Sequence, residues 1–243
     1  MRGLPPLLLF ALACASDEKA PAACVEGDPD APLSCSVATQ SPEHYVEAAE
    51  GYFDTMDSRV PLEFPAYSER VVRWEWPPWL KLTAYTREVI ELSDTVLRTV
   101  YPSVVDDRDC RAFSTPPFAR CRVSFRYEAH DNLPCPIYEE FAFNEDGEIT
   151  WIEAWSDQPE LLPLDPDADA WAEDPDFPRL AARIPGLGSA TGWIDPQGEA
   201  LQRIAESDTE VADFVRRTED FAGTWAAESA AAGEEMWPLG CGW

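Results

Sequence analysis

The residues of this chain best suited to acid–base chemistry are Glu139 and Glu153, which flank the turn Asn144-Glu145-Asp146-Gly147-Glu148. The segments Ile137–Phe143 and Ile149–Asp157 read as strands, and glycine at the turn makes them a hairpin. Closing the hairpin at that turn sets Glu139 opposite Glu153 and Phe141 opposite Trp151, on one face with Ile137 and Trp155. Two carboxylates facing each other among rings lose hydration and repel, so at least one holds its proton to higher pH than usual. That is what a general acid or base needs. The arrangement depends on register, because side chains alternate faces along a strand and a slip of one residue parts the pair. An arginine from the preceding strand, Arg122 or Arg126, would instead neutralise it. His130, just past that strand, is a further candidate base. Its alternative reading is a surface loop residue, which the neighbouring Asp131-Asn132 favour.

Helices precede these strands. Ser41-Pro42-Glu43-His44 opens a helix well, with serine as N-cap, proline at the first position and an acid in the first turn. Tyr45, Ala48, Ala49, Tyr52, Phe53 and Met56 follow at helical spacing. A second helix is expected from about Tyr85 to Val100, with Val89, Leu92, Val96 and Leu97 as its stripe. Arg73-Trp74-Glu75-Trp76-Pro77-Pro78-Trp79-Leu80 is interrupted by prolines and reads as irregular backbone packed on the core. Arg122–Ala129 alternates polar and apolar residues, as a half-buried strand should. Helices leading an antiparallel meander give an α+β fold, with helices on one face of a curved sheet. Past Asp157 the composition turns to Pro, Asp and Ala, and helices are expected near 176–184, 197–206 and 208–231. The last presents Val211, Phe214, Val215, Thr218, Phe221, Ala222 and Trp225 as a stripe. It reads as part of a helical appendage docked through Trp237 and Cys241, with a partner-binding helix as the rival reading.

The stretch EEFAFNEDGEITWIEAWSD, Glu139 to Asp157, resembles the closing strands of NTF2-like (SnoaL-like) domains. In that family a strand, an Asp-Gly turn followed by Ile, and a last strand ending in a polar residue line a cone-shaped cavity. The helix at 41–57 is similar to the family's opening helix, so the resemblance spans roughly residues 41–158. It implies an NTF2-like cone with a C-terminal helical appendage. The pocket's polar residue would be Asp157, and its lining rings Trp74, Trp76, Tyr85, Phe141, Trp151 and Trp155. The preferred role is non-catalytic binding of a small apolar ligand or an envelope partner protein. The alternative is a SnoaL-like isomerase or dehydratase, with Glu139 or Glu153 removing a proton and His130 or Asp157 assisting; a purely structural envelope protein comes third. The Trp-Pro cluster, the Cys110–Cys121 segment and residues past about 160 depart from the family's pattern.

Residues 1–13 read as a secretory signal, with Arg2 and an apolar run from Leu7 to Ala13 that is too short to span a bilayer. Ala11-Leu12-Ala13 fits an ordinary signal-peptidase site, while Ala11-Leu12-Ala13-Cys14 resembles a lipoprotein lipobox with Cys14 as the acylated first residue. Setting Cys14 aside leaves Cys24, Cys35, Cys110, Cys121, Cys135 and Cys241, an even set suited to an oxidising compartment. That parity favours a lipoprotein of the outer membrane or cell surface, partnered with the bilayer through Cys14, over a secreted protein. Residues 14–40 lack apolar periodicity and read as a tether. Proximity suggests Cys24 with Cys35 and Cys110 with Cys121, which leaves Cys135 for Cys241.

With 243 residues, 12% aromatics and 10 Trp, the chain suits one core domain at 41–158 followed by an acidic linker and helical extension at 159–243. A net charge of −28 repels nucleic acid and anionic head groups. It reads as solubility rather than as a surface for one cationic partner. No cofactor and no metal are expected. No Cys-x-x-Cys exists, and only His44 and His130 supply imidazole. Asp165, Asp167, Asp169, Glu173 and Asp176 match oxygen positions of a calcium loop but lack its central glycine, so an acidic linker is the better reading. Gly186-Leu-Gly188-Ser-Ala-Thr-Gly192 follows no apolar strand and does not read as a dinucleotide loop. Phosphate loops, Gly-x-Ser-x-Gly elbows and His-Glu-x-x-His are absent from the sequence.

Overall fold

The computed structural model describes residues 24–79, 82–161, 163–173, 179–233 and 235–243. The signal segment, Cys14, the start of the expected tether and Asp176 lie outside the described residues. Ser41 caps the first helix, α1 (Pro42–Met56), its hydroxyl accepting from the His44 amide at 3.4 Å. Tyr45, Ala49, Tyr52 and Phe53 form its buried stripe. There follow β1 (Tyr67–Glu75), β2 (Ala84–Tyr85), α2 (Arg87–Val100), β3 (Ser103–Ala112), β4 (Ala119–Tyr127), β5 (Pro134–Phe143) and β6 (Ile149–Ser156). They build one open six-stranded sheet in the order β2-β1-β6-β5-β4-β3. Only β1 and β6 run parallel; the other neighbours are antiparallel. The protein is α+β.

The aromatic-proline segment is a strand as far as Glu75 rather than irregular backbone. Val71, Arg73 and Glu75 face one side of the sheet while Val72, Trp74 and Trp76 face the other, and the Trp76 amide still donates to the Ala154 carbonyl at 2.9 Å. The prolines begin only where the ladder ends. Both sides of the sheet are covered, which explains why its central strands are apolar on both faces. On the inner face, α1 and α2 bury Tyr45, Tyr52, Phe53 and Ile90 against Val71, Val123, Phe125, Phe141 and Ile152. On the outer face, Trp74, Trp76, Trp151 and Trp155 pack under Leu180, Leu187, Ile194, Leu201, Val211 and Phe214 from the C-terminal third.

That C-terminal third contains α3 (Glu199–Ala205), α4 (Thr209–Glu219), α5 (Phe221–Ala232) and α6 (Met236–Cys241). The single helix expected over 208–231 is two, because Asp220 leaves helical geometry and its carboxylate caps α5, accepting from the Gly223 amide at 3.0 Å. The helix expected near 176–184 is, among the described residues, one 3-10 turn at Ala181–Arg183. Residues 24–40 do not stand off as a tether. Ala31 and Leu33 are buried, and the Ala31 carbonyl accepts from the amides of Gly186 at 3.1 Å and Gly188 at 2.9 Å. The disulfides are Cys24–Cys35, Cys110–Cys121 and Cys135–Cys241, a set at home in an extracellular or periplasmic setting. The last of them returns the chain's end to β5.

Candidate functional site

The hairpin that carries both candidate glutamates is not symmetric about its turn. Phe143 pairs with Ile149, but Ala142 pairs with Trp151, so Thr150 is an extra residue and β6 bulges there. Gly192, at φ +59°, makes room for it: a Cβ at that position would stand 2.5 Å from the Thr150 side chain. Past the bulge every pair is displaced by one. Glu140 faces Glu153, Glu139 faces Ala154, and Phe141 faces Ile152 rather than Trp151. The expected Glu139–Glu153 pair therefore does not exist, because the two side chains point to opposite faces of the sheet.

Glu153 belongs to the outer face, where its carboxylate is fully engaged. It accepts from the indole N–H groups of Trp76 (2.7 Å) and Trp151 (3.1 Å) and from the backbone amides of Leu180 (2.7 Å) and Ala181 (2.9 Å). Burial and the nearby Glu140 raise its pKa, against the pull of the Ala181 and Leu180 amides and the Trp76 indole. It fastens the C-terminal third to the sheet. Glu140 does similar work between Arg120 (2.6 Å) and Arg179 (2.7 Å). The rings expected to line a pocket, Trp74, Trp76, Tyr85, Trp151 and Trp155, lie on this covered face, where the Tyr85 hydroxyl donates to the Ile194 carbonyl at 3.0 Å. Phe141 is on the inner face, packed edge-on beneath Tyr52 and Phe53 with ring centroids 5.3 and 5.9 Å away.

His130 and Asp157 are not brought to Glu139. Asp157 pairs with Arg122 at 2.6 Å near the sheet's end, and His130 packs on Trp237 and Trp243 at 4.8 and 5.5 Å between centroids. Arg126 is taken by Asp106 at 3.2 Å, so neither arginine weighed as a neutraliser reaches Glu139.

Glu139 instead forms the floor of a cavity of about 90 Å³ on the inner face. Its partner there is Glu75. The register runs Glu75–Ala154–Glu139 across β1, β6 and β5, so two carboxylates flank one small side chain. Their backbones are about 10 Å apart, two strand spacings. Glu139 is 3% exposed and its Oε2 has no hydrogen-bond partner, while one Glu75 oxygen accepts from the Leu82 amide at 3.0 Å. Burial raises the Glu139 pKa far above the usual carboxylate range and the Glu75 charge adds to it, with Arg73 and the Tyr52 hydroxyl pulling the other way. Glu75 is raised too, by burial first, but less strongly. Arg73 forms no ion pair with either acid: its terminal nitrogens bond Asp94 at 2.5 Å, Ser93 at 2.7 Å and the Tyr52 hydroxyl at 3.4 Å, while its Nε has no partner and its charge acts on both acids from a distance.

Above this floor the walls are rings. Trp237 meets Tyr127, Tyr101 and Trp79 at 4.5, 6.0 and 6.4 Å between centroids, and Trp225 of α5 completes the enclosure. Trp237 is held in place by the Cys135–Cys241 bond and by the Ser156 hydroxyl, which donates to the Gly240 carbonyl. Chemically, the cavity offers two acids of unequal proton affinity, both shifted towards the protonated form by burial, beside an apolar wall. Sequence reasoning missed Glu75, Tyr52, Tyr127, Trp225 and the placement of Trp79 and Trp237. The signal for Glu75 was present in the alternation Val71-Arg73-Glu75, had the prolines after it not suggested a break.

The sequence matches no family model and no curated protein. Among solved structures, the chain is similar to a protein of unknown function with a cystatin-like fold from Methylobium petroleophilum PM1, at 11% identity and a TM-score of 0.41, over 52% of this chain and 84% of that one. It is also similar to a putative polyketide cyclase from Pseudomonas putida KT2440, at 12% identity and a TM-score of 0.35, over 46% of this chain and 90% of that one.

Proposed function

We propose that this chain is an exported lipoprotein, acylated at Cys14, that binds a small molecule in the inner-face cavity without transforming it. One observation carries the binding reading. The carboxyl of Glu139 is buried with an oxygen lacking any partner, at the floor of an aromatic enclosure, and an orphaned buried acceptor is costly unless a ligand meets it. The test plugs the cavity. Ala154 is 2% exposed and lies between the two acids, so Ala154→Leu fills the space from below. Quenching or enhancement of tryptophan fluorescence by indole and benzyl alcohol is expected for the wild-type protein and not for the variant. Equal responses from both proteins would place binding elsewhere.

A second reading, an acid–base isomerase or dehydratase, is favoured by the unequal proton affinities of Glu139 and Glu75. In that case Glu139 and Glu75, not Glu153, His130 or Asp157, carry the proton, and turnover rather than saturable binding disappears in Glu139→Gln. For the anchor, palmitate labelling in the parent cell should mark the wild-type chain and spare Cys14→Ser; equal labelling of both would sink the lipoprotein assignment.

A further inference from the structure

The geometry points to a small organic cation, an amine or quaternary ammonium compound, as the ligand of the inner-face cavity, seated between Glu75 and Glu139 against the faces of Trp79, Trp225 and Trp237. This rests on the binding reading above and goes further by fixing the sign of the ligand's charge. Three features of the cavity carry it.

First, among the described residues the acids outnumber the cations available to them. Glu75, Glu139 and Asp94 converge on the inner face, and Arg73, the guanidinium among them, is tied to Asp94 and Ser93. Arg98 also borders the cavity, but its N–H groups are spent on the carbonyls of Asp54 (3.1 Å), Thr55 (3.3 Å) and Val60. Among the described residues neither Glu75 nor Glu139 takes part in an ion pair, which leaves a buried surplus of negative charge or a proton in its place. Second, the walls are the surface that a cation prefers. The negative faces of indole and phenol rings attract ammonium groups, tryptophan most strongly, and the attraction grows when water is excluded. Tyr101, Tyr127 and Trp237 pack on one another at tilted angles, 48° and 58°, and all three line the cavity with Trp79 and Trp225. Third, the volume suits a compact charged head: about 90 Å³ takes a methylammonium-sized group, below the roughly 150 Å³ cavity that benzene fills, so the body of a larger amine would lie between the surrounding rings. A cation seated there completes the charge balance that Arg73 leaves open.

Three matched probes, benzylamine, benzyl alcohol and benzoate, decide the matter by calorimetry on the purified full chain at neutral pH. Benzylamine is expected to bind about tenfold or more tighter than benzyl alcohol, and benzoate weakest of all. Glu139→Gln and, at the half-buried position, Glu75→Gln should each reduce the preference for the amine while retaining benzyl alcohol. That retention shows that the fold survives substitution. If the alcohol binds as tightly as the amine, the cation inference is overturned and the binding reading stands. If none of the three binds, both fall together.

Discussion

Replacing Glu139 by Gln should make the protein more stable as the pH rises, and the size of the effect follows from where the side chain sits. In the unfolded chain this carboxyl titrates near the ordinary glutamate value of 4.5; in the folded chain burial and the Glu75 charge raise it well above that, with Arg73 and Tyr52 opposing and Asp94 adding to the rise. Such a group binds more protons folded than unfolded. Its contribution is therefore fully present below the unfolded value and is lost as the pH climbs towards the folded one. Within that window each pH unit removes about 1.4 kcal/mol. Glutamine keeps the shape and one acceptor but cannot ionise, so the stability of the wild-type protein relative to the variant should fall by up to about 1.2 kcal/mol from pH 5 to pH 6, where the unfolded carboxyl is still partly protonated. Urea unfolding monitored by tryptophan fluorescence at half-unit steps measures the difference, in which the titrations of groups uncoupled from Glu139 cancel between the two proteins. Profiles that stay parallel to within about 0.5 kcal/mol would mean that Glu139 titrates like a solvated acid, and the buried-acid cavity would be refuted.

Four further outcomes are expected. Glu153→Ala strands two indole and two backbone N–H groups, so it should cost about 3 kcal/mol or more in urea unfolding; a loss below about 1 kcal/mol would show that the outer face does not depend on that carboxylate. Breaking Cys135–Cys241 by the double serine change opens a 106-residue separation, worth up to about 4.7 kcal/mol in the loop-closure estimate, and should also expose Trp237, seen as a red shift in its emission. Arg73→Met or Asp94→Asn alone leaves a lone buried charge and should cost about 3–5 kcal/mol, whereas the double change should recover part of it in a thermal-unfolding cycle. Burial opposes ionisation of Asp57, but hydrogen bonds from Arg59 and the Val105 amide win and hold its pKa at about 2, against 3.8. Its stabilisation, on the order of 2 kcal/mol, is present above pH 4 and lost as the pH falls through 2, so Asp57→Asn should flatten the acid limb.

The parts of the fold visible in the sequence are those set by local rules. Ser41-Pro42 and the stripe behind it give α1, and Asp146-Gly147 gives the turn between β5 and β6. Cysteines eleven residues apart give two short-range disulfides. What alternation alone could not show is the extra residue Thr150, because a bulge is allowed by a distant contact, the space left at Gly192. That one residue moved Glu153, Trp151 and Trp155 to the other face and replaced a hairpin acid pair by one that spans three strands. β1 was hidden by prolines lying just past its end, and β3 by its charges, which belong to a strand with one wet side. The cavity itself is assembled from Glu75, Glu139, Trp225 and Trp237, positions no periodicity connects.

The two rims of the sheet bear on how these molecules behave when crowded. β2 is two residues long, and β3 carries Asp106-Asp107-Arg108-Asp109 in mid-strand, with a break in register there and Asp107 at φ +53°. Neither rim presents a neighbour with a straight, uncharged run of open backbone, the template on which fibrils grow. Packed side by side, such molecules would repel along their borders instead of zipping together.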